Sequence, residues 1–314
     1  MTLWQRHANL AYAAVFVGVL GHASTEFVAI LSGISGPELS VWRFLFGGVG
    51  LVVIALALPG SRDLLAPLRA RPLSVIGLSL LGVTIGYLLF HWSLDFASVP
   101  QVATLVTTIP IFVGLSNLVI NHQPISGAKI ASGICALVGI SLLISDGYIA
   151  RLSGSGQDLI GIFLALGCAA AVALYSVLVK PMIGEFGALR MTALTMFLGA
   201  LGLWLVVGLF FGIWTSPVRL TELPETSLLA LLVIGLWNTT ITQFLWIGGL
   251  AAVPDITRGS YLFFLKPVIA AFLAVVFLNQ DITTIQVLAI VVITSSVAFE
   301  VLLPRFSPGS TTKV

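Results

Sequence analysis

The chain has 314 residues, 58% of them hydrophobic and only 8% charged, with a mean hydropathy of +1.12 and a net charge of +2. A soluble domain carries about 25% charged residues, so this chain cannot cover a water-facing surface, and the bilayer is its solvent. Its 14 basic residues are too few and too scattered to track a phosphate backbone, which excludes nucleic acid as a partner.

A spanning helix needs about 20 mostly apolar residues. Runs of that kind are predicted near 10–33, 39–58, 73–95, 101–120 and 126–145, then near 158–180, 189–213, 227–250, 257–278 and 284–303. The first run is too long for a signal-peptide core and no small-residue cleavage site follows it, so it reads as a retained helix. The expected fold class is all-α integral membrane, with ten transmembrane helices. Connections are short, the longest being 59–72, 146–157 and 214–226, which leaves no room for a soluble catalytic domain. Cys135 and Cys168 lie inside apolar runs and read as small buried side chains rather than a disulfide or metal pair.

Lys and Arg are held on the cytoplasmic side of short loops. With the N-terminus inside, that side receives Arg6, Arg62, Arg69, Arg71, Lys129, Lys180, Arg190, Arg258, Arg305 and Lys313, and the other side only Arg151 and Arg219. Both termini are therefore expected in the cytoplasm.

The stretch 146–157 divides the spans into two sets of five, and the sets resemble each other. Phe96-Ala-Ser-Val-Pro-Gln101 after the third span matches Leu250-Ala-Ala-Val-Pro-Asp255 after the eighth. Ile120-Asn-His-Gln-Pro-Ile125 matches Phe277-Leu-Asn-Gln-Asp-Ile282, and Pro110 corresponds to Pro267. An odd number of spans per set forces the halves, expected at 1–147 and 156–304 with a cytoplasmic tail at 305–314, into opposite orientations. Such inverted repeats place a solute site near the midplane for alternating access.

This arrangement resembles the EamA-type drug/metabolite transporters over nearly the whole chain, and most closely the bacterial exporters of aromatic and other neutral amino acids, through its aromatic content and Phe264-Leu-Lys-Pro267. The resemblance implies a bacterial inner-membrane protein with spans 1–4 and 6–9 around a central cavity and spans 5 and 10 at the periphery. It also implies amino acids or related metabolites as partners, with no cofactor and no required oligomer. Where the family has Leu-Gly-Glu before the last helix of each half, this chain has Asn121-His122-Gln123 and Leu278-Asn279-Gln280, so no role for that acid carries over.

Ionisable groups at membrane depth are costly and mark candidate sites. His22 and Glu26, with Gly18, form one stripe on the first span and could carry protons, gate the cavity or satisfy each other. Tyr87, His91 and Trp92 offer a hydroxyl, an imidazole and an aromatic wall on the third span, unless Trp92 or Tyr87 belongs to an interfacial belt. Trp237, Asn238, Thr239, Thr240, Thr242 and Gln243 must find partners or line water. Asn238 begins a glycosylation sequon too deep in a span to be used. Lys266, with Tyr261 about one turn earlier, could hold a substrate carboxylate or an internal Glu, or snorkel to the nearer face. Arg43 is expected in an ion pair with Glu38 or Glu26. Pro110 and Pro267 are expected to kink their helices, and Gly47-Gly48-Val49-Gly50 and Gly208 to Gly212 to serve close helix contact.

The spans contain no His-Glu-x-x-His, Gly-x-Ser-x-Gly or paired catalytic Asp pattern, so an enzyme is disfavoured. Scattered polar positions suit a small closed cavity better than a continuous pore. Transport of an amphipathic solute is the expected function.

Overall fold

The computed structural model describes residues 7–34, 36–97, 102, 105–145, 158–278 and 283–302, with the side chains of Glu26 and a few other helical positions outside the description. All regular structure within these residues is helical. We number the main helices α1 (Ala8–Ser32), α2 (Gly36–Ala57), α3 (Pro72–Ser93), α4 (Ile109–Asn121), α5 (Gly127–Ser145), α6 (Asp158–Phe186), α7 (Ala188–Phe211), α8 (Glu225–Ala252), α9 and α10 (Thr284–Leu302). The ninth starts as Ile256–Ser260, tightens to a 3-10 turn over Tyr261–Leu265 and continues as Lys266–Leu278. Among the described residues, α1, α2, α3, α6, α7, α8 and α9 are long and apolar enough to cross a membrane, whereas α4, α5 and α10 are apolar but shorter.

The packing follows from where small residues fall. Chains of the same apolarity as lipid gain little from hiding hydrophobic surface, so helices associate where glycine lets backbones approach. A Cβ at Gly18 would sit 3.0 Å from the Trp246 backbone, and one at Gly249 would meet the Ala11 carbonyl at 3.1 Å, which seats α1 antiparallel on α8. Gly47 and Gly50 receive Thr239 and Thr240 of α8, and Gly48 receives the backbone of Phe197 on α7. In the other half, Gly199 and Gly202 of α7 receive Val83 and Thr84 of α3. The broadest contacts pair α2 with α7, α1 with α8, α3 with α6, and α5 with α10. Exchanging the two sets of five helices maps this list onto itself. The last pair touches the remainder mainly through α9, the peripheral place expected for it.

Both α3 and α8 contain a wide π turn, over Leu80–Ile85 and Leu236–Ile241, which the sequence reading did not foresee. Each closes on Thr-Ile, and each threonine hydroxyl reaches a neighbouring helix's carbonyl: Thr84 donates to Gly199 at 2.9 Å, and Thr240, 3.1 Å from Gly235 of its own helix, to Gly47 at 3.0 Å. A π turn frees backbone groups inside a helix, and the threonines tie the loosened turns to the glycine crossings.

Two expectations need correction. Pro110 stands at the second residue of α4, so it starts an α-helical segment instead of kinking one, a place that needs no backbone N–H; Pro267 stands just after the 3-10 turn of α9, at the second residue of Lys266–Leu278. Pro181 lies inside α6. Cys135 is exposed on the outer face of α5, while Cys168 is buried and both are free thiols.

The charged residues sort by end. Arg190 reaches the Gly60 carbonyl at 2.8 Å, Arg71 pairs with Glu185 at 2.9 Å, Lys129 with Asp255 at 2.5 Å, and Lys180 donates to the Val253 carbonyl at 3.0 Å, all at one end of the bundle. At the opposite end Arg219 pairs with Glu38 at 2.8 Å.

Candidate functional site

Between the two sets of helices lies a cavity lined by His22, Thr25, Arg43, Tyr87, Phe90, Val106, Ile109, Cys168, Val172, Trp246, Phe263 and Lys266. The chain thus brings four of its predicted residues, His22, Arg43, Tyr87 and Lys266, from α1, α2, α3 and α9 to one space.

Arg43 is 1% exposed and held from two sides. Its Nε donates to Thr239 Oγ1 at 3.1 Å and a terminal nitrogen to the Asn238 carbonyl at 3.3 Å, both in the π turn of α8, and its guanidinium lies 5.3 Å from the rings of Phe44 and Tyr87. The wide turn thus presents a carbonyl and a hydroxyl that a regular helix would keep to itself. Of the two expected ion-pair partners of Arg43, Glu38 accepts instead from Arg219 and from Trp42 Nε1 in the first turns of α2, and the side chain of Glu26 lies outside the described residues. Lys266 is buried, with Nζ 5.9 Å from the Phe263 ring.

His22 is buried with Nε2 lacking any hydrogen-bond partner among the described residues. Its ring meets Trp246 and Phe263 edge-on, with centroids 5.7 and 5.4 Å apart. A buried imidazole nitrogen without a partner is costly, and here it borders the cavity. The side chain of Glu26, one turn along, lies outside the described residues.

Other predicted residues build the walls. Gln243 donates to the Tyr87 hydroxyl. Asn238 donates to the Gly21 carbonyl at 2.7 Å and to Ser24 Oγ at 2.9 Å, and Trp237 Nε1 also reaches Ser24, at 3.1 Å; these bonds tie α8 to α1. His91 does not line the cavity: its Nδ1 meets Ser40 Oγ and the Tyr87 carbonyl, joining α2 to α3. Trp92 stacks edge-on against Phe211 near the ends of α3 and α7, at 5.3 Å between centroids. Tyr261 faces away, donating to the Lys129 carbonyl at 2.5 Å.

The sequence reading missed Thr25, Phe90, Trp246 and Phe263. Each stands three residues from a predicted neighbour, His22, Tyr87, Gln243 and Lys266 respectively, and helical spacing of three or four was the signal that could have found them.

A cavity enclosed by apolar helices, with two buried cations, an imidazole nitrogen that has no partner among the described residues, and aromatic walls, suits a small solute in transit. The model of the EamA-like transporter family matches residues 8–145 and again residues 159–302. The chain belongs to this EamA-like transporter family. An uncharacterized transporter of Clostridium kluyveri is 24% identical over 73% of this chain and 76% of its own length. The uncharacterized transporter YvbV of Bacillus subtilis is 24% identical over 81% and 79%. A solved crystal structure superposes with a TM-score of 0.77 at 18% identity, covering 94% of this chain and 98% of that one, a likeness of fold. As an EamA-like family member, the protein is a multi-pass membrane protein of the drug/metabolite transporter superfamily, with two family repeats in one chain.

Proposed function

We propose that the protein exports small amphipathic solutes bearing a carboxylate, foremost aromatic and other neutral amino acids, by alternating access between two inverted five-helix halves. The observation that carries this reading is the placement of Arg43 and Lys266 beside Tyr87, Phe90, Trp246 and Phe263, with His22 Nε2 on the same cavity. Within the interiors of the first four and the sixth to ninth spans the sequence supplies these two cations and one carboxylate, Glu26. This surplus of positive charge in a low-dielectric interior favours a solute carboxylate placed beside the two cations. Aromatic walls would hold the apolar part, and His22 would accept or donate one hydrogen bond.

Ten spans, halves at 1–147 and 156–304, a tail at 305–314 and both termini in the cytoplasm of a bacterial cell complete the reading. It is supported by the exchange symmetry of the helix pairs, by the two family repeats, and by the gathering of basic residues at one end, the cytoplasmic one by the positive-inside rule.

The test is uptake of labelled amino acids into proteoliposomes holding the purified protein, first at equal pH and then with an imposed proton gradient. Uptake that unlabelled aromatic or other neutral amino acids compete away is the expected result, and its response to the gradient separates a facilitator from a proton antiporter. Absence of uptake of any amino acid by correctly inserted protein overturns the assignment of solute class.

A further inference from the structure

A second cavity lies between α4, α5 and α9 and shares no lining residue with the first. It is an apolar groove bordered by Pro110, Gly114, Ile130, Gly133 and Ile134, with Lys129 and Tyr261 at its polar side. Its volume is about 210 Å³, far beyond the water-sized voids that packed interiors leave. Glycine keeps it open: a Cβ at Gly133 would stand 3.4 Å from the Tyr261 hydroxyl, and one at Gly114 3.4 Å from Thr257. Its rim faces outward, with Ile130 53% and Ile134 58% exposed, so the groove opens sideways to hydrocarbon.

The groove sits at the basic end. Lys129 pairs with Asp255 at 2.5 Å, Asp255 also accepts from the Arg258 backbone at 3.1 Å, and Lys180 donates to the Val253 carbonyl at 3.0 Å two residues away. Lys129 and Lys180 thus flank Asp255, two lysines to one carboxylate. At the matching positions the second half carries Gln286 for Lys129, Ile290 for Gly133 and Ala271 for Gly114.

We propose that this groove is a binding site for one anionic phospholipid, with an acyl chain between α4, α5 and α9 and the phosphate beside Lys129. A zwitterionic lipid would fill the apolar part but leave the positive excess unmet, and a free phosphate would meet the charge without the groove. A second copy of the chain in the same bilayer orientation would bring its own basic end against this one. Basic pockets between membrane helices on the cytoplasmic side are suited to anionic headgroups.

The test is native mass spectrometry of the purified protein titrated with phosphatidylglycerol or phosphatidylcholine of matched chains. Wild type is expected to retain one phosphatidylglycerol with roughly tenfold preference over phosphatidylcholine. Ile130→Trp, at the groove's rim, should remove that preference, as should Lys129→Gln. Cys135→Trp, exposed on the same helix outside the groove, should keep it. Equal retention of the two lipids by wild type, retention unchanged in Ile130→Trp, or retention abolished equally by Cys135→Trp overturns the proposal. So does equal competition by glycerol phosphate without chains. None of these results depends on whether the central cavity carries amino acids.

Discussion

Gln243 of α8 donates to the hydroxyl of Tyr87 on α3, and the two residues hold matching places in the two halves, each three positions beyond the threonine of its π turn. The bond therefore joins the halves where they face each other across the solute cavity. Tyr87→Phe strands the buried Gln243 amide and should destabilise the protein by about 1–3 kcal/mol. Adding Gln243→Leu should restore part of that loss, because removing both partners leaves no unmet polar group. Thermal unfolding of the four members of the cycle in detergent checks this; additive losses would show that the two side chains are not coupled.

Lys266→Gln is expected to reduce solute flux to background in protein that inserts normally. Loss of a hydrogen bond to a charged group costs about 1.5–3 kcal/mol, or roughly ten- to a hundredfold in affinity. Lys266→Arg should retain part of the flux, since the charge stays. Proteoliposome uptake beside a fluorescence size-exclusion trace reads both properties, and wild-type flux in the Gln variant would remove Lys266 from the site.

Gly199→Ala tests the crossing of α3 and α7. Its Cβ would lie 2.7 Å from the Ser79 carbonyl and 2.4 Å from Val83 Cβ, so α3 itself must move. A loss of about 1–3 kcal/mol is expected. Gly184→Ala, with nothing within 4 Å of the added carbon, should be neutral or slightly stabilising. Melting curves of the two variants in one detergent decide the comparison.

Asp255 provides a pH-dependent prediction. Burial pushes its carboxyl up, but hydrogen bonds from Lys129 and the Arg258 backbone, with the charges of both, outweigh burial and hold it below its ordinary 3.8. A carboxyl with a depressed value contributes stability that is present above the ordinary range and lost as pH falls through the folded-state value. The difference in melting temperature between wild type and Asp255→Asn should thus be constant from about pH 8 to about pH 5 and close only below about pH 4. Closure already near neutral pH would mean that the pair with Lys129 does not hold the carboxyl ionised.

Much of the fold was legible in the sequence because lipid imposes a single length and polarity on every crossing segment. The predicted run at 158–180 falls within α6, and that at 227–250 within α8, both as single helices. The candidate site was legible through its charges: Arg43 and Lys266 stand out against apolar surroundings, and both reach the cavity. Its aromatic walls were not legible, since Phe90 and Phe263 resemble any other apolar residue until their helices are phased. His91 misled for the opposite reason, because a polar residue at membrane depth is equally well satisfied by Ser40 on a neighbouring helix as by a solute. The π turns were hidden altogether, since nothing in Leu80-Leu-Gly-Val-Thr-Ile85 opposes a regular helix; the repeated Leu-x-x-x-Thr-Ile spacing was the trace they left.

Those wide turns carry a consequence for reading related chains. Each adds one residue to a turn, and one residue is about 100° of rotation on a helical wheel. Wheels drawn for Pro72–Ser79 and for Gly86–Ser93 are therefore out of phase, and one wheel through all of α3 would assign the glycine crossing and the cavity wall to wrong faces. Deleting one residue within Leu80–Ile85 would leave composition and length nearly unchanged, yet would swing Tyr87 off the cavity or Ser79 off α7. Related sequences are best compared with α3 and α8 each cut in two at this turn.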